Sequence, residues 1–300
     1  GMSRIWLALP LVATLATAGT TASAAPARPA AHVAPPSRLI FHTLADGQGA
    51  WAQAPLTGNG PVKRLFPSNG EPLAAVATRQ AIVWITEPSN PADTDIVIAN
   101  QNGGGERVLV RHVAAAPVLT RAGRYVYWGG PHWIGRVRLD GTHLRRFFIR
   151  IPIKPNSGSA DGMTTDGQYL YFTQCVAGRI GRVPIAPSGR APGVHWLVMD
   201  PGDGGFCPQA VAYANGHLFY ADDAGIGRIT TDGAGRDDTW FRLRFANQPG
   251  DLVADSSFLY WDTCSAANCA QAHVARMTTS GQHLRLGLYE HVDQGLTLAP

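Results

Sequence analysis

The chain has 300 residues, 45% of them hydrophobic and only 15% charged, with a formal net charge of +4. That is ample material for a large buried core, and it suits one closed β unit as well as two smaller domains. The 25 basic residues are spread along the sequence, with Arg145-Arg146 the densest pair, so no Lys/Arg block points to nucleic acid.

Residues 2–24 read as an export signal: Arg4 gives a positive start, 5–18 are apolar, and Ala22-Ser23-Ala24 suits a small-residue cleavage site. Gly1 ahead of Met2 reads as a remnant of cloning, so 1–24 is set aside as the signal segment. The apolar run is too short and too rich in Ala and Thr for a stable span, and no later segment is apolar enough to insert in a membrane. Residues 25–37 form an Ala/Pro-rich leader with little to bury, expected to be flexible. The mature chain is therefore expected to be secreted or periplasmic.

From residue 38 to residue 300 one pattern is repeated six times. Its core is a hydrophobic-aromatic strand, a loop, an Ile-Gly-Arg strand, and a turn containing Gly. The clearest copies pair Tyr125-Val126-Tyr127-Trp128 with Ile134-Gly135-Arg136, and Tyr169-Leu170-Tyr171-Phe172 with Ile180-Gly181-Arg182. Two more pair His217-Leu218-Phe219-Tyr220 with Ile226-Gly227-Arg228, and Phe258-Leu259-Tyr260-Trp261 with Val274-Ala275-Arg276. Fainter copies sit around Leu39-Ile40-Phe41 and Ile82-Val83-Trp84. The last aromatic of each unit falls at 41, 84, 128, 172, 220 and 261, steps of 41 to 48 residues. That is the length of one four-stranded propeller blade.

Each unit also has a small apolar segment ahead of the aromatic strand, as at Ala74 to Ala77, Met163 to Thr165 and Leu252 to Ala254, which predicts the innermost strand. The glycine of each Ile-Gly-Arg strand predicts close backbone approach or a bulge. The arginine, repeated at one structural position, predicts a scaffold role such as an inter-blade hydrogen bond. At the ends, Gln294 to Leu298 resembles an innermost strand with nothing after it, while Leu39 to Phe41 is a second strand with no first. Pairing them completes a sixth antiparallel blade and removes two open sheet edges. The expected fold is an all-β six-bladed propeller over 38–300, and a monomer.

Four cysteines in an exported chain favour disulfides, and paired CxxC spacing for zinc is absent. Cys175 and Cys207 lie in connections on the same face of adjacent blades, and Cys264 and Cys269 flank a short hairpin segment. Both bridges are expected, though four cysteines allow three pairings.

The aromatic strand followed by Ile-x-Arg-x-x-x-Asp-Gly resembles the YWTD family of six-bladed propellers, and is similar to NHL-type and bacterial TolB-like propellers. The signature drifts here: Tyr127-Trp128-Gly129-Gly130 and Tyr260-Trp261-Asp262-Thr263 stand in place of Tyr-Trp-Thr-Asp. The resemblance implies the fold, whereas the drifted signature does not carry a receptor-type function with it; the expected role is that of an exported binding or interaction module.

Propeller ligands generally meet the face that carries the loops into the innermost strands. There Glu71, Asp161, Gln209, Asp251 and Gln294 open inner strands, and as a ring of acceptors they could bind a cation or a polyhydroxylated ligand. Strand-end capping and channel water are the structural alternative. His132 and Trp133 at a loop tip could stack on a sugar or peptide, or pack as a surface patch. A rival to the binding module is a hydrolase or lyase using Ca2+ or Mg2+ in the channel. Some six-bladed propellers of the gluconolactonase and paraoxonase kind hold such a metal, and virginiamycin B lyase has similar repeats. Glu71, Asp161 and Asp251 would be the ligands, and no catalytic residue is assigned. The loop acids Asp93 with Asp95, Asp222 with Asp223, and Asp262 are local clusters. No HExxH, Gly-x-Ser-x-Gly or phosphate-loop motif is present, and Gly103-Gly104-Gly105 is a hairpin turn. Expected partners are a protein, peptide or glycan rather than nucleic acid.

Overall fold

A computed structural model describes residues 35–44, 48–68, 70–86, 94–113, 118–152, 159–185, 193–200, 205–244, 249–263, 272–292 and 294–300. The signal segment, the leader up to residue 34, Asp93, Cys264 and Cys269 lie outside the described residues. No helix among those described is long and apolar enough to cross a membrane.

The described residues form 24 strands in six four-stranded antiparallel sheets, the expected six-bladed propeller. In blade 1, β1 (Arg38–Thr43), β2 (Ala50–Pro55) and β3 (Lys63–Pro67) are joined by the last strand of the chain, β24 (Thr297–Ala299). Blade 2 has β4 (Pro72–Ala77), β5 (Ala81–Thr86), β6 (Ile96–Asn100) and β7 (Arg107–Val110). Blade 3 has β8 (Leu119–Ala122), β9 (Tyr125–Gly130), β10 (Trp133–Arg138) and β11 (Arg145–Arg150). Blade 4 runs through β12 (Gly162–Thr165), β13 (Tyr169–Gln174), β14 (Arg179–Pro184) and β15 (His195–Met199). Blade 5 follows with β16 (Ala210–Ala214), β17 (His217–Asp222), β18 (Gly225–Thr230) and β19 (Asp237–Arg242). Blade 6 comprises β20 (Leu252–Ala254), β21 (Phe258–Asp262), β22 (His273–Thr278) and β23 (Arg285–Glu290).

Ring closure pairs the two ends of the chain, with Arg38 opposite Ala299, Leu39 opposite Leu298 and Ile40 opposite Thr297. The N–H of Ser37 extends the ladder to the Ala299 carbonyl at 2.8 Å.

Successive side chains of a strand point to opposite faces of its sheet, so the two aromatics of each repeat serve two different blade interfaces. Trp128 joins the apolar cluster between blades 2 and 3, whereas Tyr127 joins the one between blades 3 and 4. Phe172 and Tyr171 divide in the same way between the interfaces before and after blade 4. The core is accordingly six wedges, one per interface, and Trp51, Trp128, Trp261, Tyr171 and Tyr220 are fully buried in them.

The third-strand glycine answers to both expectations. Gly135 lies opposite Trp128, Gly181 opposite Phe172 and Gly227 opposite Tyr220. A Cβ on these glycines would fall 2.3, 2.7 and 2.2 Å from the facing ring. The ladder to the fourth strand is shifted by a bulge at the same point of all three blades. The following arginine lies opposite the other aromatic and reaches towards the next blade. Arg182 Nη1 donates to the Thr231 carbonyl of blade 5 at 2.6 Å, and Arg276 Nη1 to the Leu56 carbonyl of blade 1 at 2.6 Å. Arg136 instead lies over the Phe148 ring, 3.8 Å from its centroid.

Candidate functional site at the loop face

The loops entering the inner strands and those between second and third strands share one end of the ring, the loop face. Tight turns between the other strands make the opposite turn face. All six inner-strand segments surround a central cavity of about 280 Å3. Small apolar residues such as Ala75, Ala212 and Val253 make most of its wall, with Thr120, Thr164 and Thr297 among the polar lining. Its charged lining residues are Asp161, Asp251 and Arg121. Asp161 and Asp251 open their strands at the loop face, and Arg121 lies near the end of β8 towards the turn face.

Both carboxylates are engaged by backbone. Asp251 Oδ2 accepts the N–H groups of Gly295 and Leu296 at 2.9 and 3.0 Å, pinning the segment that leads into β24. Its own N–H is held by Asp262 Oδ1 at 2.9 Å, and Asp262 is 1% exposed. Burial pushes the Asp251 carboxyl up to about 6, against the opposing pull of the Leu296 and Gly295 N–H groups. Asp161 Oδ2 accepts the Cys175 N–H at 2.6 Å, and Oδ1 the Ser159 hydroxyl at 3.5 Å. Burial raises this carboxyl as well.

The other acceptors of the expected ring do not join them around the cavity. Glu71 and Gln209 are exposed, and Gln294 is half-buried with its carbonyl accepting the His42 N–H at 3.1 Å. The Gln209 amide instead reaches Cys207 Sγ at 3.7 Å. Among the described residues no group of three or more His, Cys, Asp or Glu side chains could hold a metal ion. Glu71, Asp161 and Asp251 are thus not gathered into one donor set.

His132 and Trp133 sit at the loop-face end of blade 3, away from the cavity lining. The Trp133 ring is folded back over Gly130, where a Cβ would meet it at 2.2 Å. It packs edge-on to Trp128 and Phe147, at 6.3 and 5.3 Å between centroids. The loop acids also have local work: Asp222 Oδ1 caps the β17–β18 turn through the Ala224 N–H at 2.8 Å. Asp95 accepts the His112 N–H at 2.9 Å and faces Arg111 at 3.7 Å.

Cys175 and Cys207 form the expected bridge between blades 4 and 5, with Cα atoms 3.9 Å apart. Such a bond is consistent with an extracellular or periplasmic protein. Two apolar side chains missed in the sequence lie at this end of blade 4: Val176, 64% exposed, next to Cys175 in the loop, and Met199, 61% exposed, at the end of β15. Backbone pairing joins them into one rigid end of blade 4, since Met199 lies opposite Arg179 and the Asp200 N–H donates to the Gly178 carbonyl at 2.9 Å. No periodic signal in the sequence marks them; only their exposure does.

No family model matches this chain, and no curated protein matches it. Among solved structures, a chain of a nidogen/laminin complex superposes with a TM-score of 0.64 at 16% identity, covering 88% of this chain and 98% of that one. A Bacteroides fragilis protein provisionally assigned as a 6-phosphogluconolactonase superposes with a TM-score of 0.55 at 15% identity, covering 85% and 82%. A counterpart from Bacteroides uniformis, with the same provisional assignment, gives 0.54 at 13%, covering 84% and 82%. At such identities the likeness is one of fold, and the fold is shared by a protein found in a binding complex and by lactonase-like proteins.

Proposed function

We propose that this chain is an exported propeller of the YWTD, NHL and TolB-like kind that serves as a binding module for a protein, peptide or glycan at its loop face. One observation carries the reading: Val176 and Met199 stand exposed on a disulfide-stapled, pre-organised end of blade 4. Exposed apolar side chains on a rigid base are what a binding surface needs, because little ordering entropy is lost on association. The channel acids support the reading in another way. Their oxygens are engaged by backbone N–H groups that fix strand ends, so they serve as caps for the ring. Glu71, Gln209, Gln294, His132 and Trp133 remain candidate contacts at the periphery of the channel mouth.

A screen of immobilised peptides and glycans with the labelled protein tests this. Ligands are expected whose affinity falls about tenfold or more in the Val176→Asp, Met199→Asp double variant, the loss of a small apolar anchor pair. The melting midpoint of the variant should not move. Absence of binders, or binders indifferent to both substitutions, overturns the reading.

A second reading, a hydrolase or lyase of the channel, has Asp251 in its favour, since a carboxyl titrating near neutrality suits a general acid. If Ca2+ or Mg2+ is its cofactor, the metal should raise the melting midpoint of chelator-treated protein in a concentration-dependent way. No shift at millimolar metal leaves the binding module as the better account.

A further inference from the structure

The loop face holds the candidate site above; the turn face carries an uneven distribution of charge. Residues 38–150 carry 13 Lys and Arg against 7 Asp and Glu, whereas 151–300 carry 10 against 14. The fold turns this mild imbalance along the chain into a patch, because three consecutive blades place their turns side by side.

Six arginines belong to it: Arg38, Arg79, Arg107, Arg121, Arg124 and Arg138. Two sets of bonds tie their positions together, joined by the turn from Gln101 to Arg107. Arg38 Nη2 donates to Gln101 Oε1 at 2.8 Å, and the Gln101 N–H donates to the carbonyl of Gln80, beside Arg79, at 2.9 Å. Arg107 Nη2 crosses from blade 2 to the Leu139 carbonyl of blade 3 at 2.8 Å. The Leu139 N–H donates to the Arg124 carbonyl at 3.0 Å, and Arg138 precedes Leu139 in the chain. Arg121 Nη1 donates to the Gly123 carbonyl at 2.9 Å, where the patch meets the end of the central cavity.

Among the described residues none of the six forms an ion pair. Two acids lie in the same turns, Glu106 and Asp140. Asp140 is exposed, and its Oδ1 accepts the N–H and hydroxyl of Thr142 at 2.8 and 2.6 Å; these bonds, with a smaller pull from Arg138, hold its carboxyl below the usual range. The turns of blades 4, 5 and 6 carry Asp166, Asp232, Asp237, Asp238 and Asp255 against Arg236 and Arg285, and Asp166, Asp232 and Asp255 are bonded locally as Asp140 is, so the difference between the halves is one of charge balance. Six guanidinium groups on the turns of three consecutive blades, none in an ion pair among the described residues, make a positive surface that an external polyanion would neutralise.

We propose that the turn face of blades 1 to 3 binds an acidic polysaccharide. Guanidinium forks match carboxylate and sulfate groups in a bidentate way, and an arc over three blades suits an extended chain of repeating anions. A single-stranded nucleic acid fits less well, because it needs aromatic faces for its bases. The aromatic beside these arginines, Tyr125, has its ring covered by Arg136 and Arg138, at 4.6 and 5.4 Å from its centroid. The acidic turns of blades 4 to 6 would repel such a ligand and confine it to the basic half. This surface is on the opposite face from the peptide and glycan site proposed above, so either can fail without the other.

The test is equilibrium binding of dextran sulfate and of polygalacturonate at about 0.15 M salt, where isolated surface charges are screened. Neutral dextran, a single-stranded oligonucleotide and anionic vesicles are the comparison arms. Arg79 and Arg124 are exposed, and their side chains make no hydrogen bond among the described residues, so Arg79→Ser with Arg124→Ser leaves the fold intact. An unchanged melting midpoint verifies that. The expected result is saturable binding of at least one acidic polysaccharide that weakens with added salt. It should fall about tenfold or more in the double variant, but not in Arg242→Ser on blade 5. The inference is overturned by no binding at that salt, by an equal loss in Arg242→Ser, or by tighter binding of the oligonucleotide or the vesicles. Self-association that the double variant abolishes also overturns it, since a second copy would then cover the patch.

Discussion

Asp251 is the residue at which fold and chemistry meet. Its carboxylate receives two backbone N–H groups from the segment that closes the ring, yet burial raises it from 3.8 to about 6. Between those two values the folded chain keeps a proton that the unfolded chain has already released. Its contribution to stability is therefore largest below the ordinary carboxyl value, declines as pH rises through the window, and is level above it. Asp251→Asn removes that dependence. The melting midpoint of the variant, taken relative to the unaltered protein, should climb from about pH 4 to about pH 6.5 and then stay constant. A difference that is flat over the whole range would show that Asp251 does not titrate there.

At the scale of the element, the informative unit is the pair of second and third strands. An aromatic ring on one strand lies across a glycine on the other, and this lets large side chains fill the wedge without forcing the strands apart. In Gly227→Ala the new Cβ would meet the Tyr220 ring at 2.2 Å, so the ring or the strand must move. Overpacking of this kind costs about 2 kcal/mol, readable by urea unfolding. A cost below about 0.5 kcal/mol would mean the interface adapts freely. Blade 6 solves the same problem with Ala275 opposite Trp261, so the tolerance differs from blade to blade.

At the scale of the whole molecule, stability depends on closure. Every wedge has a blade on each side only because β24 completes blade 1, and Leu296 adds its side chain to the cluster between blades 6 and 1. Deleting 294–300 exposes the edge of β1 and removes both N–H partners of Asp251. A fall in the melting midpoint of about 10 °C or more is expected from losses of a few kcal/mol in a chain of this length. A midpoint within a degree or two of the full chain would show that the ring holds without its terminal strand.

The blade count, the strand order and the closing pair were all legible in the sequence. Each rests on local, repeated signals: an aromatic pair, a glycine at fixed spacing, and an inner strand without a successor at the end of the chain. The Cys175–Cys207 bridge was legible for the same reason, because blade geometry follows directly from the repeat. The candidate site was legible only as a set of strand-opening positions. Whether Glu71, Asp161 and Asp251 converge, which acids are held by backbone, and where Trp133 packs depend on side-chain directions that no spacing encodes. The arginines of blades 1 to 3 are the plainest case, for they are scattered over a hundred residues of sequence. Repetition in the sequence determined the architecture, since identical units can bury their aromatics only by stacking into a ring. Tertiary structure alone decided the surfaces, because the ring brings together turns far apart in the chain and leaves their charges on one face.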